Sequence, residues 1–142
     1  VGPNGEPGEV PPDLGVLVRI GPGGGPVTEH KRGIGISNTV AWSPDRTRFY
    51  FGDTPRNSIW RWDYDEATGM VANERPFFTG FTRGVPDGAA IDAEGCLWSC
   101  RWGGGCVVRV TPEGMVDRVV ELPARNITTC AWGREGLDVL YI

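Results

Sequence analysis

A strand–turn–strand pattern recurs along this chain and limits what it can fold into. Each copy reads as a short apolar run, a polar turn that contains an acidic residue, and a second apolar run. The first run carries an alanine in the same place each time, at Ala41, Ala90 and Ala131, a spacing of roughly 40 to 50 residues. Apolar runs bounded by turns of this kind are typical of β-strands, and no segment sustains the period of an amphipathic helix.

A further strand repeats at the same period. Arg19, Arg61 and Arg109 each lie between apolar residues in a run that ends at a turn. A four-stranded unit that recurs in this way is typical of a β-propeller blade, whereas a β-sandwich would show less self-similarity. We therefore predict an all-β fold, a β-propeller, to which this chain supplies about three blades.

The ends of the chain set the predicted domain boundaries. Residues 1–16 are predicted to form a Gly/Pro-rich loop, and residues 17–142 a partial propeller domain cut at both ends. Three blades alone would leave strand edges and apolar faces exposed, and propellers close with about four to eight. We expect a part of a longer protein; self-association of such pieces is the alternative.

Composition narrows the classes of partner. The net charge is −4 without a run of like charges, which argues against a nucleic-acid groove or an anionic membrane surface. No apolar run approaches the ~18 residues of a membrane span, and no signal peptide is visible, so we expect a cytoplasmic protein. The oligomeric state stays open.

The four cysteines do not form a recognisable site. They lack the paired spacing of a zinc site, and the single histidine, His30, cannot complete one. We predict that they are small buried hydrophobic residues, with a disulfide between Cys96 and Cys106 as an open alternative.

Two polar residues precede strands in equivalent positions of the repeat. Asn38 comes before the run at Val40, and Asp87 lies in Val-Pro-Asp-Gly before the next copy. The innermost strand of a propeller blade lines the central channel, so both side chains are expected to point toward one axial position. Carboxylate and amide oxygens suit hard divalent cations. The alternative is that both residues simply form turns.

Three segments carry a resemblance to a known family. Residues 35–69, 85–114 and 122–133 resemble the SMP-30/gluconolactonase/regucalcin (SGL) family, in order and at plausible spacing. The family fold is a six-bladed β-propeller. The resemblance extends from about Leu17 to Ile142 and implies that this chain corresponds to roughly the C-terminal half.

The resemblance implies a metal-dependent hydrolase that opens a sugar lactone, as a gluconolactonase does, or a similar small cyclic ester in carbohydrate metabolism. Its divalent metal, Ca²⁺ first and Zn²⁺, Mg²⁺ or Mn²⁺ as alternatives, would be held by Asn38 and Asp87. A first-blade Glu and an upstream Asn of the family have no counterpart here. Asp87 would also act catalytically by orienting and deprotonating water.

Two further residues bear on that implied site. The family usually has Gly after the ligand Asn, whereas this chain has Thr39, and a β-branched residue is restricted there if φ must be positive. Arg101 is predicted to contact the small-molecule lactone substrate. The 142-residue chain by itself is expected to be inactive.

Two other classes of protein remain as alternatives. One is a non-catalytic calcium-binding or ligand-binding β-propeller of the regucalcin type. The other is a propeller similar to strictosidine synthase or paraoxonase, with different axial residues.

Overall fold

The computed structural model describes residues 13–142, and within that range the regular structure is twelve β-strands and one 3-10 turn at Pro22–Gly24. No helix there is long and apolar enough to cross a membrane. The prediction of an all-β fold is confirmed. In chain order the strands are β1 (Gly15–Ile20), β2 (Val27–Ile34), β3 (Ser37–Trp42), β4 (Arg48–Asp53), β5 (Ser58–Asp65), β6 (Met70–Thr79), β7 (Val85–Ile91), β8 (Leu97–Trp102), β9 (Cys106–Val110), β10 (Val116–Glu121), β11 (Ala131–Gly133) and β12 (Val139–Tyr141).

The strands form four sheets in which chain neighbours are sheet neighbours. Two sheets have four strands, in the orders β3-β4-β5-β6 and β7-β8-β9-β10, and β1-β2 and β11-β12 are two-stranded. The pairings of β4 with β5 and of β7 with β8 are antiparallel. The recurring alanines Ala41, Ala90 and Ala131 lie in β3, β7 and β11, as the repeat in the sequence predicts.

The chain divides between Ser37 and Asn38 into two compact units. The first contains the β1-β2 hairpin, and the second contains the other three sheets. Most of the predicted loop at residues 1–16 lies outside the described residues, and β1 begins at Gly15.

Within the second unit, the two middle strands of the sheet β7-β10 contribute side chains to a core on each face of that sheet. One face joins a core with the sheet β3-β6, and the other packs against residues of the last hairpin and the segment before it. On β9 the alternation is visible directly, since Val108 and Val110 point into the first core and Val107 into the second. Burying each of these side chains stabilises the fold by about 1.5–3 kcal/mol.

All four cysteines are free and buried, which confirms their predicted role as small hydrophobic residues. A Cys96–Cys106 disulfide is wrong for a geometric reason. Cys106 pairs with Arg101 at one end of the β8–β9 ladder, and Cys96 precedes Leu97 at the other.

A partly buried acidic residue, Asp92, lies in the turn between β7 and β8. Its carboxylate accepts hydrogen bonds from the Cys96 backbone at 2.9 Å, Trp98 Nε1 at 2.8 Å and Arg109 Nε at 2.8 Å. Burial of the Asp92 carboxyl opposes ionisation, but the bonds from Trp98 and Arg109 outweigh it and lower its pKa. The turn, β8 and β9 are thus joined through one side chain.

We expect Asp92→Ala to lower the free energy of unfolding by about 2–4 kcal/mol, because it removes the acceptor that Arg109 and Trp98 Nε1 share. The side chain of Arg109 is only 11% exposed, so water replaces that acceptor poorly. Urea denaturation measures the change. The matched control is Asp117→Ala, which removes a more exposed partner of the same arginine and should cost less than about 1 kcal/mol. Equal losses in the two variants would contradict the central place given to Asp92.

The lowered pKa of Asp92 predicts that the free energy of unfolding depends on pH. The pKa of Asp92 is lower in the folded than in the unfolded chain, so its contribution is present above the unfolded value of about 4 and is lost as pH falls through the folded value. Asp92→Ala should therefore flatten the acid limb of the stability profile. An acid limb unchanged from that of the parent chain would contradict this assignment.

Candidate functional site

Asn38 and Asp87 lie at the beginning of equivalent strands. Asn38 is the second residue of β3, and Asp87 is the third residue of β7. Each strand is the first of its four-stranded sheet in chain order and lies at one edge of it. The two side chains thus come from the same end of corresponding strands in successive sheets, as their position in the repeat predicts; their role as metal ligands stays a prediction.

Hydroxyl groups of two threonines join these strand ends. Thr54, in the turn that follows β4, receives a hydrogen bond from Asn38 Nδ2 at 2.7 Å and donates one to the Pro86 carbonyl at 2.7 Å. Thr39 donates to the carbonyl of Asp87 itself at 2.5 Å. Two consecutive carbonyls of β7 therefore accept hydrogen bonds from hydroxyls of β3 and of the turn after β4.

The Asp87 carboxyl is suited to a cation. It is partly buried, and burial raises its pKa. Among residues 13–142 no arginine, lysine or histidine forms an ion pair with it. A partly desolvated carboxylate with no basic side chain paired to it is stabilised by a bound cation.

Asp87 and Asn38 offer oxygen ligands of the kind that divalent cations prefer, but too few of them for a complete site. A carboxylate from Asp87 and an amide oxygen from Asn38 fit Ca²⁺, Mg²⁺ or Mn²⁺. Across the described part of the chain, no cluster of three or more His, Cys, Asp or Glu side chains could hold a metal. These two oxygens fall short of the ~6 to 8 ligands that calcium takes.

Thr39 adopts the backbone conformation that usually requires glycine. Its φ is 40°, and its side chain is buried. A non-glycine residue in this region costs of order 1–2 kcal/mol. The hydrogen bond from its hydroxyl to Asp87 offsets part of that cost, which explains how threonine is accommodated beside Asn38.

Two glycines make room for this arrangement. A Cβ on Gly52 would lie 2.9 Å from the Thr39 Cβ, and one on Gly88 would lie 2.8 Å from the Thr128 carbonyl. Gly88 N–H donates to that same carbonyl at 2.7 Å. The glycine after Asp87 thus allows the segment before β11 to approach the free edge of β7.

Arg101 lies inside the protein instead of on an open surface. Its side chain is 1% exposed, and its guanidinium donates to Arg83 O at 3.2 Å, Gly84 O at 2.8 Å and Asn57 Oδ1 at 2.6 Å. Burial lowers the pKa of Arg101 to about 10. It holds the residues directly before β7, and its predicted contact with substrate stays a prediction.

The sequence interpretation missed Thr54, Gly52 and Asn57. Thr54 and Asn57 lie in the Thr-Pro-Arg-Asn turn after β4, whose composition is that of an ordinary turn. In the sequence, Thr54 and Asn57 follow the strand after the one that carries Asn38. That position alone does not predict that either residue contacts the candidate site.

We expect Gly52→Ala to lower the free energy of unfolding by about 1–3 kcal/mol, because the added methyl group would overlap Thr39 and force it to move. Denaturant unfolding measures the change. The matched control is Gly136→Ala, where the new Cβ meets nothing nearer than Asp138 Cγ at 3.8 Å. Equal unfolding midpoints for the two variants would show that Thr39 is not tightly held.

Comparison with known proteins agrees with the motifs. Over 119 residues the chain is 41% identical to pentonolactonase XacC of Haloferax volcanii. The aligned region covers 83% of this chain and 41% of that protein. It is 43% identical over 109 residues to a 6-deoxy-6-sulfogluconolactonase of Pseudomonas putida, covering 75% of this chain and 37% of the relative. The chain thus spans about two fifths of the length of these curated relatives.

A solved structure shows the same fold relationship. The crystal structure of a calcium-binding protein, regucalcin, from Agrobacterium tumefaciens superimposes with a TM-score of 0.79 at 33% identity, over 87% of this chain and 42% of that one. The family model described as SMP-30/Gluconolactonase/LRE-like region (SGL) matches residues 1–142. The family predicted from the sequence is confirmed, and the chain belongs to the SMP-30/gluconolactonase/LRE-like family.

Proposed function

We propose that this chain forms part of a metal-dependent hydrolase that opens a sugar lactone or a similar small cyclic ester. The observation that carries the proposal is that hydrogen bonds of Thr39 and Thr54 link the equivalent strand ends on which Asn38 and Asp87 lie. Relatives named as lactonases support the reaction class. The partner is then a small-molecule lactone.

We place this site in a six-bladed β-propeller of which the chain supplies about three blades. The sheets β3-β6 and β7-β10 correspond to whole blades. By its place in the repeat, Arg19 in β1 corresponds to Arg61 in β5 and Arg109 in β9. The β1-β2 hairpin therefore corresponds to the third and fourth strands of a blade. The β11-β12 hairpin, which contains Ala131, aligns with the inner strands.

A divalent cation, calcium first among the alternatives, would be held by Asn38 Oδ1 and the Asp87 carboxylate. When bound, it supplies a charge that polarises the lactone carbonyl and lowers the pKa of water. Asp87 would orient the attacking water and accept its proton. Water adds to the carbonyl carbon, the ring C–O bond breaks, and the ring oxygen takes up a proton to give the hydroxy acid.

Arg101 has a supporting part in this proposal. Its guanidinium bonds to carbonyls at residues 83 and 84, so it holds the chain that leads into the Asp87 turn. Direct contact with the substrate and a cytoplasmic location both remain predictions.

A second candidate is a calcium-binding or ligand-binding propeller without turnover. The resemblance to a structure described as calcium-binding favours it. The same two side chains would then hold the cation, and no proton transfer by Asp87 would be required. The two functions differ in whether lactone is consumed.

We expect Asp87→Ala, in a protein of full family length that carries these residues, to lower lactonase activity at least ~100-fold, since it removes both a cation ligand and the proton acceptor. A pH-stat assay with a gluconolactone and calorimetric titration with CaCl₂ are the measurements. The control is Asp138→Ala, which removes an exposed carboxylate from the β11–β12 turn and should leave both readouts unchanged. Full activity in Asp87→Ala would exclude the proposed mechanism, and calcium binding without lactone hydrolysis in the parent protein would favour the second candidate.

The 142-residue chain alone should be inactive and should bind calcium with a Kd weaker than about 1 mM, because two protein oxygens are too few for a tight site. Isothermal titration of the isolated chain with CaCl₂ tests this. Stoichiometric binding in the micromolar range would mean that this chain by itself supplies a complete site.

A further inference from the structure

The hydroxyl of Thr54 lies between the two strands that carry the candidate ligands. It belongs to neither strand, since it follows β4, yet it contacts Asn38 Nδ2 and the Pro86 carbonyl, both at 2.7 Å. Pro86 directly precedes Asp87. One hydroxyl is therefore bonded to the side chain of one candidate ligand and to the backbone next to the other.

The direction of these two bonds follows from their chemistry. A carbonyl only accepts, so the single proton of the Thr54 hydroxyl must point to Pro86 O. The hydroxyl oxygen is then an acceptor for Asn38, and only the amide nitrogen of Asn38 can donate to it. The Asn38 amide must face Thr54 with Nδ2, which turns Oδ1 away from Thr54.

That orientation matters because an amide has two ends of similar size and opposite character. Oδ1 is a ligand for a hard cation, whereas the NH₂ group repels one. Without an oriented partner the two rotamers of the Asn38 amide would compete. Because Thr54 donates its proton to Pro86 O, it can only accept from Asn38. This selects the Asn38 rotamer in which Nδ2 faces Thr54 and Oδ1 is left for a cation.

Thr54 is itself held rigidly. Its carbonyl accepts a hydrogen bond from Asn57 N–H at 3.0 Å. The Asn57 side chain donates to Phe81 O at 2.8 Å and accepts from buried Arg101 at 2.6 Å. The turn that carries Thr54 is thus anchored to the fold on the side away from Asn38.

We infer that Thr54 is a positioning residue of the cation site: it orients the Asn38 amide so that Oδ1 serves as a ligand, and it sets the position of the Asp87 turn through Pro86. The inference rests on the proposed function. It assigns to Thr54 an effect on cation affinity beyond the ordinary contribution of a hydrogen bond to stability.

The test compares Thr54→Val with Thr54→Ser in a protein of full family length that carries these residues. Valine keeps the shape of threonine and removes the hydroxyl, whereas serine keeps the hydroxyl and removes the methyl group. Calorimetric titration with CaCl₂ should give a 10- to 100-fold weaker Kd for Thr54→Val, the range found for groups that orient metal ligands. Thr54→Ser should stay within about 3-fold of the parent protein.

A second background isolates the orientation of the amide. In Asn38→Asp both ends of the side chain are oxygen, so no rotamer has to be selected. Adding Thr54→Val to Asn38→Asp should therefore weaken calcium binding by a much smaller factor than in the parent protein. The same factor in both backgrounds would show that Thr54 does not act by orienting the Asn38 amide.

Three results would overturn the inference: an unchanged Kd in Thr54→Val, an equal loss in Thr54→Ser, or an equal factor in the Asn38→Asp background. Asp87→Ala titrated in parallel separates this inference from the proposed function. If Asp87→Ala abolishes calcium binding and Thr54→Val does not weaken it, only the role of Thr54 fails. If Asp87→Ala leaves the Kd unchanged, the cation site itself is wrong, and the inference fails with it.

Discussion

Hydrogen bonds between neighbouring sheets, from Thr39 and Thr54 to the carbonyls of Asp87 and Pro86, fix the relation of the two candidate ligands. Bonds within a sheet set the register of strands but do not determine how one sheet faces the next. Apolar packing between sheets is strong yet non-directional. Hydrogen bonds at the strand ends are directional, since each hydroxyl accepts or donates only along certain directions. They therefore set the relative orientation of the two sheets, which apolar packing alone does not.

The site is built with some cost in backbone energy. Thr39 has a φ of 40°, Gly52 has no side chain, and Gly88 lies against the Thr128 backbone. Strain of this kind persists only where surrounding contacts determine the conformation, and it concentrates at functional sites. Here the determining contact is the hydroxyl of the strained residue itself, which contacts the backbone of Asp87.

Arginines of the repeat show how equivalent positions acquire different partners. Arg109 forms ion pairs with Asp92 and Glu94 of the β7–β8 turn and with Asp117 of β10, whereas Arg61 donates to the Pro112 carbonyl at 3.2 Å. Buried Arg101, from a different strand, holds residues 83 and 84 instead. The repeat thus preserves strand geometry, while the polar contacts that stabilise turns and link sheets vary from copy to copy.

By itself the sequence determined the all-β fold, the four-stranded unit, the family and the equivalent positions of Asn38 and Asp87. The fold, the repeating unit and the equivalent positions depend on local alternation, turn residues and spacing, which are visible along one chain. The family came from the resemblance of three segments to its motifs. Only the tertiary structure decided that Thr54 and Thr39 connect these positions, that Arg101 is buried, and that Cys96 and Cys106 lie at opposite ends of a ladder. Each of these features depends on contacts between sheets or on which residues pair between two strands. Contacts between residues far apart in the chain leave no local pattern in the sequence.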